Sequence, residues 1–193
     1  MKKKIILIIF LVFVFQNVSA QKFGIKTNII WDALSTISIG GEYGIAPEWS
    51  IDVSGNYNNW TRSHGRRWKH WFIQPEARYW LCEKFQGHFF GAHLHGGQFN
   101  ISNLDNNIKF LGTDFSKLSD ERYQGWFAGL GLGYGYSWIL SKHWNFEAEI
   151  GVGYSYSRYE RYPCAWCGNV IESGKTHHYV GLTKTAINLI YVF

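Results

Sequence analysis

The chain has 193 residues, enough for one domain, and it carries 19% aromatic residues, 21 glycines and only three prolines. That mix suits β-structure with aromatic belts better than a helical globule. The formal charge of +5 falls to +2 once a leader holding Lys2, Lys3 and Lys4 and no acid is set aside, so no nucleic-acid surface is inferred, and no zinc-finger spacing, RNA-binding signature or basic helix is present.

The leader comes first. Three lysines precede an unbroken apolar run from Ile5 to Phe15, followed by Gln16-Asn17-Val18-Ser19-Ala20. Val18 and Ala20 fit the small-residue rule for a signal-peptidase site, which predicts a cleaved signal peptide over residues 1–20. A spanning helix needs about 20 apolar residues, and this run is far shorter. No cysteine follows the site, which argues against a lipid anchor. The mature chain, residues 21–193, is expected to begin at Gln21.

After Ala20 the pattern has period two, in segments of about ten residues, the signature of barrel strands. Phe23, Ile25, Thr27 and Ile29 alternate with Lys26 and Asn28. Ile37, Ile39, Tyr43 and Ile45 alternate with Ser38, Gly40, Glu42 and Gly44. Trp49, Ile51, Val53 and Tyr57 alternate with Asp52, Ser54 and Asn56. Trp71, Ile73, Pro75, Ala77 and Tyr79 alternate with Gln74, Glu76 and Arg78. Phe90, Ala92 and Leu94 alternate with Gly91, His93 and His95. From Gln124 to Leu140 the even positions are mostly aromatic or aliphatic and the odd ones mostly glycine. Trp144 to Tyr156 sets apolar residues against Asn145, Glu147, Glu149, Gly151 and Gly153. The last strand sets Tyr179, Ile187, Leu189 and Tyr191 against Lys184 and Asn188.

These are eight strands, an even number, as bacterial barrels require. Energetics fix which face is out. A slip by one residue would turn Lys26, Arg78 and Lys184 toward lipid at roughly 2–4 kcal/mol each near the midplane. With five acids also misplaced, the sum exceeds the roughly 5–15 kcal/mol that stabilises a typical domain. The charged positions must face inward. Short links near Ala46–Glu48, Cys82–Gln86 and Ser141–His143 mark the periplasmic end. Long ones near Trp60–Arg67, Asn100–Arg122 and Arg158–Thr176 mark the outside, with a shorter outer loop near Asp32–Ser35. Trp49, Trp138, Trp144 and Tyr191 are expected in one aromatic girdle, and Trp31, Trp68, Trp71, Trp126 and Tyr156 in the other. The glycine row from Gly129 to Gly135 reads G-x-G-x-G-x-G. It lacks the spacing and the helix of a phosphate loop, and it is expected to permit curvature and a crowded lumen.

The chain ends on Tyr191-Val192-Phe193. Tyr191 and the terminal Phe193 read as the signal recognised by barrel-assembly machinery. No room is expected for a periplasmic plug or a peptidoglycan-binding domain. In architecture the chain resembles the small eight-stranded outer-membrane proteins of the OmpX, OmpA-barrel and OmpW type. A closer likeness rests on WFIQPEARYWLCEKFQGHFFGAHLHGGQFN (Trp71–Asn100) and the C-terminal strand. On these the chain resembles a domain-of-unknown-function family of small barrels from Bacteroidetes outer membranes. The resemblance implies fold and localisation, with a link of some members to fimbrial or surface-adhesin systems. It brings no catalytic residues.

Several constellations could carry chemistry. Lys26, Glu42, Asp52, Glu76, Arg78, His93, His95, Glu147, Glu149 and Lys184 all point inward in a barrel whose bore is just wide enough for side chains. They are read as a salt-bridge and hydrogen-bond network that plugs the lumen, in preference to a narrow conduit or ligand cavity. His93 and His95 share a face with Glu147 and Glu149, a pairing that can serve acid–base chemistry. No G-x-S-x-G elbow accompanies them. Cys164 and Cys167 form C-A-W-C, read as a local disulfide or two free thiols rather than a zinc site. Cys82, in a periplasmic turn, is too far away to join them. Arg62, Arg66, Arg67 and Lys69 lie in a basic, aromatic outer loop whose natural counter-charge is lipopolysaccharide phosphate.

The expectation is therefore all-β: an eight-stranded antiparallel up-and-down transmembrane β-barrel preceded by a cleaved signal peptide. It is placed in the bacterial outer membrane as a monomer, acting in envelope structure or in surface interaction and adhesion through its loops. Expected partners are outer-membrane lipid and lipopolysaccharide, the assembly machinery and a surface protein, but no nucleic acid. No catalysis, cofactor or metal is expected. The alternatives are a lipid A-modifying enzyme and a narrow small-solute conduit.

Overall fold

The alternating segments form strands that close on themselves in a computed structural model, which describes residues 22–60, 67–102, 109–110, 113–114, 121–164 and 168–193. Strand β1 (Phe23–Asn28) leads through a short helix α1 (Ile29–Ala33) into β2 (Ile37–Gly44), β3 (Trp49–Asn58), β4 (Arg67–Trp80) and β5 (Gly87–Ser102). A small hairpin of β6 (Lys109–Phe110) and β7 (Thr113–Asp114) stands apart from the main sheet. The ring resumes with β8 (Arg122–Ile139), β9 (Trp144–Tyr162) and β10 (Glu172–Val192). Each strand pairs antiparallel with its neighbour in the ring, and β10 closes on β1, with Gly24 opposite Val192 and Asn28 opposite Asn188. The expected eight-stranded up-and-down barrel is what forms. Closure leaves no edge along the lower wall, which is how a barrel avoids the liability of open strands.

Side-chain phase follows the charge argument. Lys26, Glu42, Asp52, Glu76, Arg78, Glu147, Glu149 and Lys184 are all buried. Ile39, Leu94, Leu130, Leu132, Ile150 and Val152 point away from the bore and are exposed, forming an apolar belt around the outside. The glycines of β8 face inward and leave room for neighbours. A Cβ on Gly133 would stand 2.8 Å from Glu149 Oε1, and one on Gly135 would collide with the Phe89 ring.

The strands lengthen around the ring: 6 residues in β1, 8 in β2, 10 in β3, 14 in β4, 16 in β5, 18 in β8, 19 in β9 and 21 in β10. Tight turns keep the hairpins flush at one end; Leu140 N–H, for example, donates to the Trp144 carbonyl at 2.9 Å. The opposite rim therefore rises obliquely, from low at β1 to tall at β10. This shortens the expected long loops. Most of the Arg158–Thr176 segment is strand, and the connection it holds runs from 163 to 171.

Three aromatic placements differ from the sequence expectation. Trp68 shares the inward parity of His70 and lies 5.8 Å from it, so it is not in the outer girdle. Trp31 sits on α1 and packs inward, 5.6 Å from His70 and 5.3 Å from Phe72. Tyr179 also faces inward. A bulge between Leu182 and Lys184 inserts Thr183 and reverses the phase of upper β10, so that Tyr179 pairs with inward Ser155 while Val180 is 78% exposed. Trp71 and Trp126 do lie on the outer face, as do Trp49, Trp138 and Trp144 toward the turn end.

Candidate functional site

The bore is filled in layers. At the turn end lies an apolar floor: Trp80, Phe85 and Phe89 are almost wholly buried, with Trp80 and Phe89 rings 4.6 Å apart and Ile190 and Val192 beside Phe85. Phe85 belongs to the β4–β5 turn and adopts a left-handed φ of 65°, a costly conformation for a bulky residue. Its carbonyl accepts from Asn145 Nδ2 at 2.7 Å and Ser137 Oγ at 3.1 Å, which pins the turn beneath the bore. Sequence reasoning missed this floor. The available signal was parity, because Trp80 continues the inward series of Arg78, and Phe89 precedes that of Gly91.

Above the floor stands the ion network, with Arg78 at its hub. Its guanidinium reaches Glu76 at 2.7 Å, Glu42 at 2.8 Å, Glu147 at 2.9 Å, Glu149 at 2.7 Å and Asp52 at 3.6 Å. It also lies 4.4 Å over the Phe89 ring, a cation–π contact onto the floor. Lys26 contacts Glu42 at 2.6 Å and Asp52 at 3.1 Å. Lys184 contacts Glu76 at 2.6 Å and Glu149 at 3.1 Å. Neutral groups complete it: Asn188 donates to Glu147 at 2.7 Å, Ser50 to Glu42 at 2.5 Å, and Trp80 Nε1 to Ser50 at 2.8 Å. Taking so many charges out of water is affordable only with dense pairing of this kind. β1, β2, β3, β4, β9 and β10 each supply a member, so the network ties together strands distant in sequence.

The two strand histidines separate in role. His93 Nε2 shares a 2.9 Å hydrogen bond with Thr183 Oγ1, and its Nδ1 lies 3.8 Å from Glu76. The expected partnership with Glu147 and Glu149 is thus replaced by Glu76, because β5 pairs with β4 in a register that sets His93 opposite Glu76. His95 lies in the lumen but outside the ion network, packed 6.1 Å from Phe127 and 5.8 Å from His93. Above it Phe72, Phe127, His70 and Phe99 form an aromatic layer.

At the tall rim, β8, β9 and β10 are laced by polar contacts. Tyr123 donates to Glu121 at 2.8 Å, and Arg161 lies 3.5 Å from both Glu121 and Glu172. Burial, with the Glu121 carboxylate next, pushes the Tyr123 phenol up to about 12. Arg122 stacks 3.9 Å over the Tyr162 ring. Of the predicted phosphate-binding residues, Arg67 and Lys69 are half-buried at the top of β4; Arg62 and Arg66 lie outside the described residues. Cys164 is disulfide-bonded and Cys82 is a free, exposed thiol; Cys167 also falls outside the described residues. Tyr191 and Phe193 meet at the seam: the Phe193 ring stacks 5.8 Å from Phe23 and lies 5.0 Å from Tyr191, and its N–H donates to the Phe23 carbonyl at 2.9 Å.

This barrel and its C-terminal strand are covered end to end by one family, described as a protein of unknown function (DUF3575), which matches residues 5–193. The chain belongs to that family. No curated protein matches this DUF3575 chain significantly. The family's description carries no assigned activity.

Proposed function

We propose that this DUF3575 chain is an outer-membrane β-barrel with a plugged bore, which acts in envelope structure or surface interaction, including adhesion, through its tall rim. The observation that carries the reading is the inversion of polarity: among the described residues, eight buried charged side chains inside a closed cylinder and an exposed apolar belt outside. In water such a belt would be an association liability, whereas against lipid it is the stable arrangement. The flush, short-turn end is assigned to the periplasm and the oblique end to the cell exterior. The leader over residues 1–20 delivers the chain, and Tyr191 and Phe193 serve recognition by the assembly machinery. Lys69, beside the outward row of Trp71 and Gln98, is placed to meet lipopolysaccharide phosphate. The barrel acts as a monomer, without catalysis, and the apolar floor and ion network leave no path for solute.

The test is fractionation followed by electrophoresis. The protein should sediment with outer membranes, need detergent for extraction, and migrate faster unboiled than boiled. Recovery as a freely soluble periplasmic protein would overturn the reading. Planar-bilayer recordings should show no conductance above background, and steady single-channel currents would restore the conduit alternative.

A further inference from the structure

The oblique rim leaves one side of the wall low. There β1 stops at Asn28 and β2 begins only at Ile37, while neighbouring β10 continues up to Glu172. Between Glu172 and Ile187, no strand pairs with the free side of β10 among the described residues. Asn28 touches the foot of this edge: its Nδ2 donates to the Thr185 carbonyl at 3.3 Å, and its Oδ1 accepts from Ile187 N–H at 3.4 Å. The borders of the gap are greasy. Ile29, Leu34 and Ile37 are exposed on one side and Val180 on the other.

At the level where β1 and β2 no longer contribute wall lies a cavity of about 890 Å³, within the range of small-molecule sites. Its walls come from β3, β4, β5, β8, β9 and β10, so it occupies the inside of the cylinder. The inward-facing residues at this level are Asn58, His70, Phe99, Gly125 and Tyr159. Trp31 of α1 forms the sill, its ring tilted against His70. His70 is itself buried, and its Nδ1 has no hydrogen-bond partner among the described residues.

We propose that this notch is a lateral entrance by which a single-chain amphiphile, an acyl tail with a polar head, passes from the surrounding lipid into the aromatic cavity. The inference rests on the membrane-barrel reading above. The rings accept the tail. The open edge of β10 offers unpaired N–H and C=O groups to the head, groups that hydrocarbon alone cannot satisfy. A water-borne ligand would enter from the top and would give the greasy side gap no purpose.

The test uses the full folded barrel in phosphatidylcholine vesicles, titrated with the fluorescent fatty acid cis-parinaric acid. Faster migration of unboiled samples first confirms folding and membrane residence for each variant, so a failed barrel is distinguished from a failed site. The expected result is saturable binding at one site per barrel. Ser157→Phe fills the bore beside Tyr159 and should weaken binding about tenfold. Trp31→Ala lowers the sill and should speed entry severalfold. Competition by lysophosphatidylcholine identifies a membrane-lipid source; retention of the dye against it identifies a free fatty acid. Non-saturable uptake, equal binding by wild type and Ser157→Phe, or an unchanged entry rate in Trp31→Ala would overturn the proposal.

Discussion

Replacing Arg78 by methionine removes the hub cation and leaves the bulk of a long side chain in place. Arg78 is fully buried and lies within 4 Å of five carboxylates, from Glu42, Asp52, Glu76, Glu147 and Glu149. Lys26 and Lys184 would remain to balance them. Removing one partner of a buried charge cluster costs about 3–5 kcal/mol, because the others are left uncompensated in a medium that solvates them poorly. With a urea slope of about 2 kcal/mol/M, about 4 kcal/mol moves the unfolding midpoint down by about 2 M. The assay is the fraction of fast-migrating band against urea concentration, measured for the detergent-folded protein. Neutralising the orphaned acids with Glu147→Gln and Glu149→Gln in the Arg78→Met background should recover much of the loss. Arg78→Lys should fall between, since a point ammonium cannot serve so many oxygens at once. A midpoint for Arg78→Met within 0.5 M of wild type would refute the reasoning, as would a triple variant no better than the single one.

Other consequences are testable with the same readout. Gly133→Val places a side chain where Glu149 stands, 2.8 Å from the new Cβ, and should cost about 1–3 kcal/mol. Phe85→Ala removes a buried ring from the floor and should cost about 3–5 kcal/mol; the strain at φ 65° remains, because alanine keeps the Cβ that causes it. The Tyr123 phenol lies above its ordinary value in the fold, so its contribution is complete below about pH 10 and is lost as pH rises through about 12. Tyr79 and Tyr162 are also raised, so ultraviolet titration of Tyr123→Phe should show one late-ionising tyrosine fewer than wild type. Lys69→Ala should lower thermal stability in lipopolysaccharide-containing bilayers and leave it unchanged in phosphatidylcholine; an equal effect in both would remove phosphate from the account.

The lower barrel was legible because charge fixed the phase of each strand. Lys26, Arg78 and Lys184 could not face lipid, and their neighbours then fell into place by alternation. The likeness to a family of unknown function was legible in the Trp71–Asn100 segment and the final strand, whereas membership is shown by the match over residues 5–193. The upper half was less legible for local reasons. Trp31 left the alternation when α1 interrupted it, with Asn28 as N-cap and its side chain accepting from Ile30 N–H. Tyr179 was reversed by one inserted residue, which period-two counting cannot detect. The mutual choice of His93 and Glu76 depends on the β4–β5 register, which turn length and pairing set together. In the floor, parity could have found Trp80 and Phe89 but not Phe85, which reaches the bore from a turn where no strand parity applies.

The three rings of the stopper, Trp80, Phe85 and Phe89, belong to one hairpin and meet one another within it, although Ser137 and Asn145 fasten it from elsewhere in the chain. The charges above it have the opposite character: Glu147 lies 69 positions along the chain from Arg78, and Lys184 lies 108 from Glu76. The corked hairpin can therefore form early from nearby sequence, while every unmatched ion waits for the last stave. Rounding the cylinder and silencing its charges become a single event, so a half-wound intermediate carries its own electrostatic reason to finish.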